Sequence, residues 1–324
     1  MKLRQILYLR GIFKQHSLPV PVISVGNLVL GGTGKTPTVQ YIANLLLSRG
    51  FNPAVVSRGY GGRARGKHNV VSNGSEILLG PLDSGDEPFM LAESLPGVPV
   101  LTGKKRLYPC KYAIETFGAD CIILDDGFQH LSVKRDIDIV LFDTTTLAGN
   151  SRVFPGGHLR EPISALHRCS CFILTGSNAL NKTRGDKFAT LLCEKFSNKP
   201  VYYSSLTEFT FINSNKTEVH SENIGTTFAF CGIANPERFR TTLSDHGITL
   251  SGFSPLSDHT PYSSSVVDKL VKKAKKSGAV SLITTEKDAV KLQKHQLNMP
   301  LYTLKLRSSI SSEFTKRLLQ DLSR

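Results

Sequence analysis

The chain is short of acid, of paired cysteines and of long apolar runs, and each shortage removes a class of protein. Against 40 Lys and Arg stand 26 Asp and Glu, a formal net charge of +14. Such an excess suits an anionic partner: nucleic acid, an anionic membrane surface or a phosphorylated substrate. The basic residues form neither a recognition helix nor an aromatic-interleaved RNA-binding pattern, and residues 269–276 (KLVKKAKK) read as the solvated face of a helix. The six cysteines (Cys110, Cys121, Cys169, Cys171, Cys193, Cys231) contain no CxxC pair. A disulfide framework is not expected, and reduced, buried thiols in a cytosolic compartment are. Cys169 and Cys171 have no second ligand pair with which to hold a metal. No run is long enough for a transmembrane helix. The opening MKLRQILYLRGIFKQ lacks the continuous apolar stretch of a cleaved signal peptide. It mixes apolar and basic residues, with Arg10 and Lys14 inside the apolar arc. It therefore suits a packed helix and a membrane-interface helix alike. Repeats and disordered tails are absent, and 324 residues at 40% hydrophobic suit two domains with sizeable cores.

What is present is concentrated in residues 21–37, PVISVGNLVLGGTGKTP. Val22, Ile23 and Val25 read as a buried strand. A glycine-rich turn follows, then Pro37 at a helix start, and Val39, Ile42, Leu45 and Leu46 recur at helical spacing. Strand, glycine loop and helix in this order are what a P-loop requires. The predicted nucleotide-binding segment is Val29, Leu30, Gly31, Gly32, Thr33, Gly34, Lys35 and Thr36. Backbone N–H groups and the helix N-terminus would face phosphate, Lys35 would reach the β- and γ-phosphates, and the Thr36 hydroxyl would ligate Mg²⁺. The usual pattern has glycine where this chain has Val29.

Further apolar runs at 54–57, 120–124, 137–142, 171–175 and 200–204 read as strands, with helical stretches near 37–49, 104–117 and 181–196. Strands alternating with helices predict an α/β fold, a P-loop NTPase-like, mainly parallel sheet covered on both faces. Ligands bind beyond the carboxyl ends of such strands, so the loops at 26–36, 57–62 and 125–130 should converge. Alternation around Asn213-Ser214-Asn215 predicts a hairpin linker, after which a second, smaller α/β pattern begins. The expected organisation is a basic and apolar segment at 1–18, a P-loop domain at 19–205, a hairpin linker or hinge at 206–226, and a smaller α/β domain at 227–324.

Phosphoryl transfer also needs a carboxylate-anchored metal and a group that takes the acceptor's proton. Asp125 closes an apolar strand, where P-loop proteins carry a Mg²⁺-binding carboxylate, and the adjacent Asp126 points elsewhere. Asp86 and Glu87 open a helical pattern, a position that suits capping and catalysis alike. Ser257-Asp258-His259 lies in a polar loop that spacing alone does not link to Asp86.

Seven motifs in order, VGNLVLGGTGKTP, SRGYGG, GDEP, LDDGFQH, FPGGHLREP, SDHTPY and TTEKDAVKL, resemble the tetraacyldisaccharide 4'-kinase (lipid A 4'-kinase) family. The resemblance runs from about residue 19 to about 305. It implies two α/β domains joined by a hairpin hinge. It also implies an enzyme at the cytoplasmic face of the bacterial inner membrane that moves the γ-phosphate of ATP to the 4'-hydroxyl of a tetraacylated disaccharide 1-phosphate, forming lipid IVA. The implied ligands are ATP, Mg²⁺ and the lipid A disaccharide precursor, with neither nucleic acid nor an obligate protein partner. Carried over, Lys35 and Thr36 bind phosphates and Mg²⁺, Asp86 matches a general base and His259 its partner. Glu87, Asp125 and Asp126 match acidic residues around the metal. Arg58, Tyr60, Gln129, His130 and Arg160 match positions near phosphates or disaccharide. The family's longer apolar N-terminal helix is represented only by a short segment. Two competing classes are a P-loop ATPase of the partitioning or metal-insertion type and a nucleotide-gated nucleic-acid-binding module. The first generally carries an extra lysine at the loop's start, where this chain has Val29 and Leu30. The second rests on charge alone.

Overall fold

The computed structural model describes residues 2–178, 181–258 and 260–323. They form two compact units, residues 1–205 with 308–324, and residues 206–307. The first unit opens with α1 (Lys2–Leu9), β1 (Val22–Asn27), α2 (Lys35–Ser48), β2 (Pro53–Ser57), β3 (Asn69–Ser72), α3 (Pro81–Ser84) and α4 (Asp86–Ser94). It continues with β4 (Val100–Thr102), α5 (Leu107–Phe117), β5 (Cys121–Asp125), β6 (Ile137–Asp143), β7 (Cys171–Thr175) and α6 (Lys182–Lys195). Neighbouring strands run β7-β6-β1-β5-β2-β4-β3, parallel except for β3 against β4. The start of β8 (Val201–Asn213) lies parallel to β7.

The central strands are apolar on both sides because helices cover both faces. On one face Val39, Ile42 and Leu46 of α2 pack over Ile23 and Val25, beside Leu91 and Leu95. On the other, Phe142, Phe172 and Phe196 pack together, and Cys110 and Ala113 of α5 cover Ala54 and Ile122. Each large apolar side chain so buried contributes about 1.5–3 kcal/mol. This layering sets the carboxyl ends of β1, β2 and β5 along one rim, where the motifs lie.

The second unit holds the rest of β8, then β9 (Glu218–Val219), β10 (Thr227–Cys231), α7 (Pro236–Asp245), β11 (Leu250–Pro255), α8 (Ser264–Lys276), β12 (Ser281–Thr285), α9 (Glu286–Leu292) and most of β13 (Leu301–Ile310). Its strands run β11-β10-β12-β13, all parallel. The hairpin signal at 206–226 corresponds to β8 pairing antiparallel with β9 through Phe211 and Val219. In α8, Val267, Leu270 and Ala274 face inward while Lys269, Lys272 and Lys276 are exposed, so the lysine run is a solvated face. The last helix, α10 (Ser312–Leu322), belongs to the first unit, where Phe314 and Leu318 join the α2 core. Two element boundaries besides the start of α2 departed from expectation. Strand 200–204 continues to Asn213, and helix 104–117 begins only at Leu107, behind the short strand β4.

Candidate active site

The glycine loop is braced from three sides. Asn27, which ends β1, donates from Nδ2 to the Val29 carbonyl at 2.7 Å, and Gln129 donates to the Asn27 carbonyl at 2.9 Å. The Leu30 N–H meets the His158 carbonyl at 2.8 Å, and the Arg160 N–H meets the Leu28 carbonyl at 2.7 Å. Thr175, ending β7, donates to the Thr33 carbonyl at 3.0 Å. Gly34 caps α2 with φ +76°, a left-handed conformation that selects glycine, while a Cβ there would meet Thr175 at an ordinary contact distance of 3.4 Å. The helix begins at Lys35, two residues before the expected Pro37. Pro37 falls in the first turn, where no N–H partner is needed. The loop and the first turn of α2 therefore present N–H groups and a positive helix end to one spot.

Two adjacent carboxylates at the end of β5 have opposite surroundings. Asp125 is 2% exposed and accepts from the Ser57 hydroxyl at 2.9 Å. Burial, together with Glu87 and Asp126, pushes its carboxyl up to about 7, against the pull of Lys35 and Ser57. Asp126 sits at φ +51°, a left-handed conformation unusual outside glycine and concentrated at functional sites. Its carboxylate takes Arg160 Nη1 at 2.8 and 3.0 Å, and Lys35 Nζ lies 3.8 Å away. Burial raises Asp126, but Lys35 and Arg160 outweigh it and hold the group below the usual carboxylate range.

Asp126, Arg160, Gln129, His130 and Arg58 line one cavity of about 1060 Å³. His130 is held down to about 3 by burial and by Arg106, Arg4, Arg135 and Arg58. It is a neutral acceptor whose Nε2 takes the Arg106 N–H at 3.3 Å and approaches the Ser132 hydroxyl at 2.8 Å. Asp86 and Glu87 form the first turn of α4, behind Gly85 at φ +92°. A Cβ on Gly85 would lie 2.3 Å from the Tyr60 carbonyl, so the GDEP turn and the SRGYGG loop are packed backbone to backbone. Tyr60 itself is 71% exposed. His259 lies outside the described residues.

Sequence reasoning missed Arg106 and Arg168. Arg106 is 4% exposed and lines the cavity with a buried Nε that makes no hydrogen bond among the described residues. Burial lowers its pKa, with Asp125 opposing. Arg168 bonds Glu161 at 3.0 Å and lies 4.5 Å over the Phe128 ring, fixing the DDGFQH turn. Position at a strand's carboxyl end was the one signal for Arg106. Nothing in the spacing marks Arg168.

A doubly covered parallel sheet, a glycine loop capping a helix, and lysine, arginine and paired aspartates at the loop define a P-loop phosphotransferase. The family model for tetraacyldisaccharide-1-P 4'-kinase, LpxK, matches residues 1–323, and the chain belongs to that family. Tetraacyldisaccharide 4'-kinase from Desulfotalea psychrophila is 49% identical over 320 residues, 99% of this chain and 92% of that protein. The enzyme of the same name from Syntrophus aciditrophicus is 41% identical, over 90% of this chain and 80% of its own length. Among solved structures, LpxK from Aquifex aeolicus in complex with ATP matches with a TM-score of 0.78 at 30% identity, covering 99% of this chain and 94% of that one.

Proposed function

We propose that the chain transfers the γ-phosphate of ATP to the 4'-hydroxyl of a tetraacylated disaccharide 1-phosphate, the lipid A precursor, giving lipid IVA. One observation carries this reading: Lys35, Asp126 and Arg160 meet at the P-loop of a chain that matches the 4'-kinase family over its whole length. The β- and γ-phosphates lie along the first turn of α2, with Lys35 and Arg160 on the transferring group. The 4'-oxygen bonds to phosphorus as the bond from phosphorus to the β–γ bridging oxygen breaks. ADP carries off the electron pair, and the hydroxyl proton passes to Asp86.

The residues fit Mg²⁺. Burial raises the Asp125 carboxyl, and Glu87 and Asp126 raise it further; a divalent cation among these three carboxylates would offset their mutual repulsion. No three-ligand cage of His, Cys, Asp or Glu exists among the described residues, which suits an ion that keeps waters and leans on substrate phosphates. Thr36 and Asp125 would hold it, beside Glu87 and Asp126, and when bound it neutralises phosphate charge.

The chain works at the cytoplasmic face of the inner membrane, as a peripheral protein. No helix of the described residues is long and apolar enough to cross a membrane. Support for surface attachment comes from the net charge of +14 and from exposed Ile6, Ile12, Phe13, Val153 and Phe154, the last 67% exposed. Val153 and Phe154 line the site cavity together with Arg4 and Tyr8 of α1. The test is transfer of labelled γ-phosphate from ATP to the disaccharide in detergent micelles. Labelled lipid is expected, and inorganic phosphate without labelled lipid would refute the reading.

A further inference from the structure

The N-cap residue of α5, Arg106, supplies no side-chain cap. Its N–H, one of the groups a helix start leaves without an intrahelical partner, meets Nε2 of His130 at 3.3 Å. The Ser132 hydroxyl reaches the same nitrogen at 2.8 Å. A backbone N–H can only donate, so Nε2 carries a lone pair, and the hydroxyl beside it donates as well. The ring proton is therefore on Nδ1. Burial first, and then Arg106, Arg4, Arg135 and Arg58, keep the ring from taking a second proton. The positive end of α5 acts in the same direction.

The backbone on both sides of this contact is fixed. The His130 N–H donates to the Gly127 carbonyl at 2.8 Å, and the His130 carbonyl accepts Arg135 Nη1 at 3.2 Å. Arg135 is anchored in turn on Asp138 at 2.8 Å, each side chain 5% exposed. Ser132 is held by the N-terminal segment. Its carbonyl accepts the His16 N–H, and the Lys134 N–H returns to the His16 carbonyl, each at 2.8 Å. Gln15 Nε2 donates to the Leu131 carbonyl at 3.0 Å. Nδ1 is the one polar atom of His130 without a partner among the described residues.

His130 and Ser132 both line the cavity of about 1060 Å³, whose other lining side chains include six cations, Arg4, Arg58, Lys104, Lys105, Arg106 and Arg160. Cations attract an anion from any direction. An uncharged N–H on a ring held in place reads the position of a single oxygen. We infer that Ser132 is a positioning residue. By donating to Nε2 it fixes His130 as the Nδ1–H tautomer and reserves that uncharged donor for an oxygen of the acceptor disaccharide. That the oxygen belongs to the disaccharide rests on the kinase reading given above; the tautomer does not.

The experiment records two-bond proton–nitrogen correlations of the full chain labelled with ¹⁵N-histidine at neutral pH, with His130→Gln identifying the His130 signal among the nine histidines. Wild type should show a protonated Nδ1 and a bare Nε2, the reverse of the form that free neutral histidine favours. Ser132→Ala should mix the two tautomers and lower kcat/KM for the acceptor about 2- to 10-fold, the range of one lost neutral hydrogen bond, with KM for ATP and the melting temperature unchanged. Ser132→Thr, which keeps the hydroxyl, should restore both spectrum and rate. A wild-type proton on Nε2, or an unchanged His130 signal in Ser132→Ala, would overturn the inference. So would equal losses against both substrates, the mark of a purely structural role. An Nδ1–H ring that is lost in Ser132→Ala, in a protein that forms no labelled lipid, would sink the kinase reading and keep the hold of Ser132 on the tautomer.

Discussion

Each unit buries an aspartate at the carboxyl rim of a parallel sheet, and the two are treated in opposite ways. In the second unit Asp288 is fully buried, beside the carboxyl end of β12. It accepts the Gly232 N–H and the Thr285 hydroxyl at 2.8 Å each, and Lys291 Nζ lies 3.6 Å away. The glycine turn after β10 is thus occupied by the unit's own carboxylate. In the first unit Asp125 accepts from Ser57 but faces Glu87 and Asp126, and the glycine turn after β1 keeps its N–H groups for a ligand. A charge answered locally by cation and backbone serves the fold. On the kinase reading, a buried carboxyl crowded by two others is the one kept for chemistry.

The comparison breaks first at Lys35. Lys35→Ala should lower turnover about 10²–10³-fold, as loss of one preorganised donor does, with the melting curve unchanged. A folded variant with near-normal turnover would refute the loop's role. The two aspartates sharpen the contrast. Asp288→Ala should cost about 1–3 kcal/mol in urea unfolding, because a buried N–H loses its acceptor, with turnover per folded molecule nearly kept. Asp125→Asn should do the reverse, removing turnover while leaving unliganded stability at pH 8 equal or higher, since burial opposes that charge. If both variants lose stability alike, the distinction fails.

His130 supplies a pH test. Its folded pKa is depressed to about 3 from the ordinary 6.5, so its contribution is intact above about pH 6.5 and is lost as pH falls toward 3. Stability should drop between pH 7 and 4.5 in wild type and less steeply in His130→Gln, measured by urea titration. The smallest effect is at the surface. Ile12→Ser with Phe13→Ser should weaken binding to anionic vesicles by roughly tenfold, slightly less than one fully buried apolar side chain contributes, and leave the micelle assay almost unchanged. Unchanged vesicle binding would move the membrane contact elsewhere.

The parts of this scheme legible in the sequence were those with strong local signals. β5 and β7 carry unbroken apolar runs, β1 and β6 apolar runs interrupted only at Ser24 and Asp138, and the glycines, Lys35 and the aspartate pair sit at strand ends. β4 is three residues long and β3 pairs only with it, too short for periodicity to register. β8 runs past its first apolar stretch as an alternating segment, and β9 pairs with its end through Phe211 and Ile212. Arg106 had only its position after a strand to mark it until its burial was seen, and Arg168 is marked only by Glu161 and Phe128, contacts made across the fold.

Asp126 has a kinetic consequence. With Arg160 at 2.8 Å and Lys35 at 3.8 Å, its carboxylate occupies the cations that a triphosphate must recruit. On the kinase reading it would be a tethered competitor at high effective concentration, and each nucleotide would enter by anion exchange. That exchange would weaken ground-state binding of ATP and ADP alike. It would also give the spent site a carboxylate ready to recapture both cations, so departure of ADP would be hastened by a residue that never leaves.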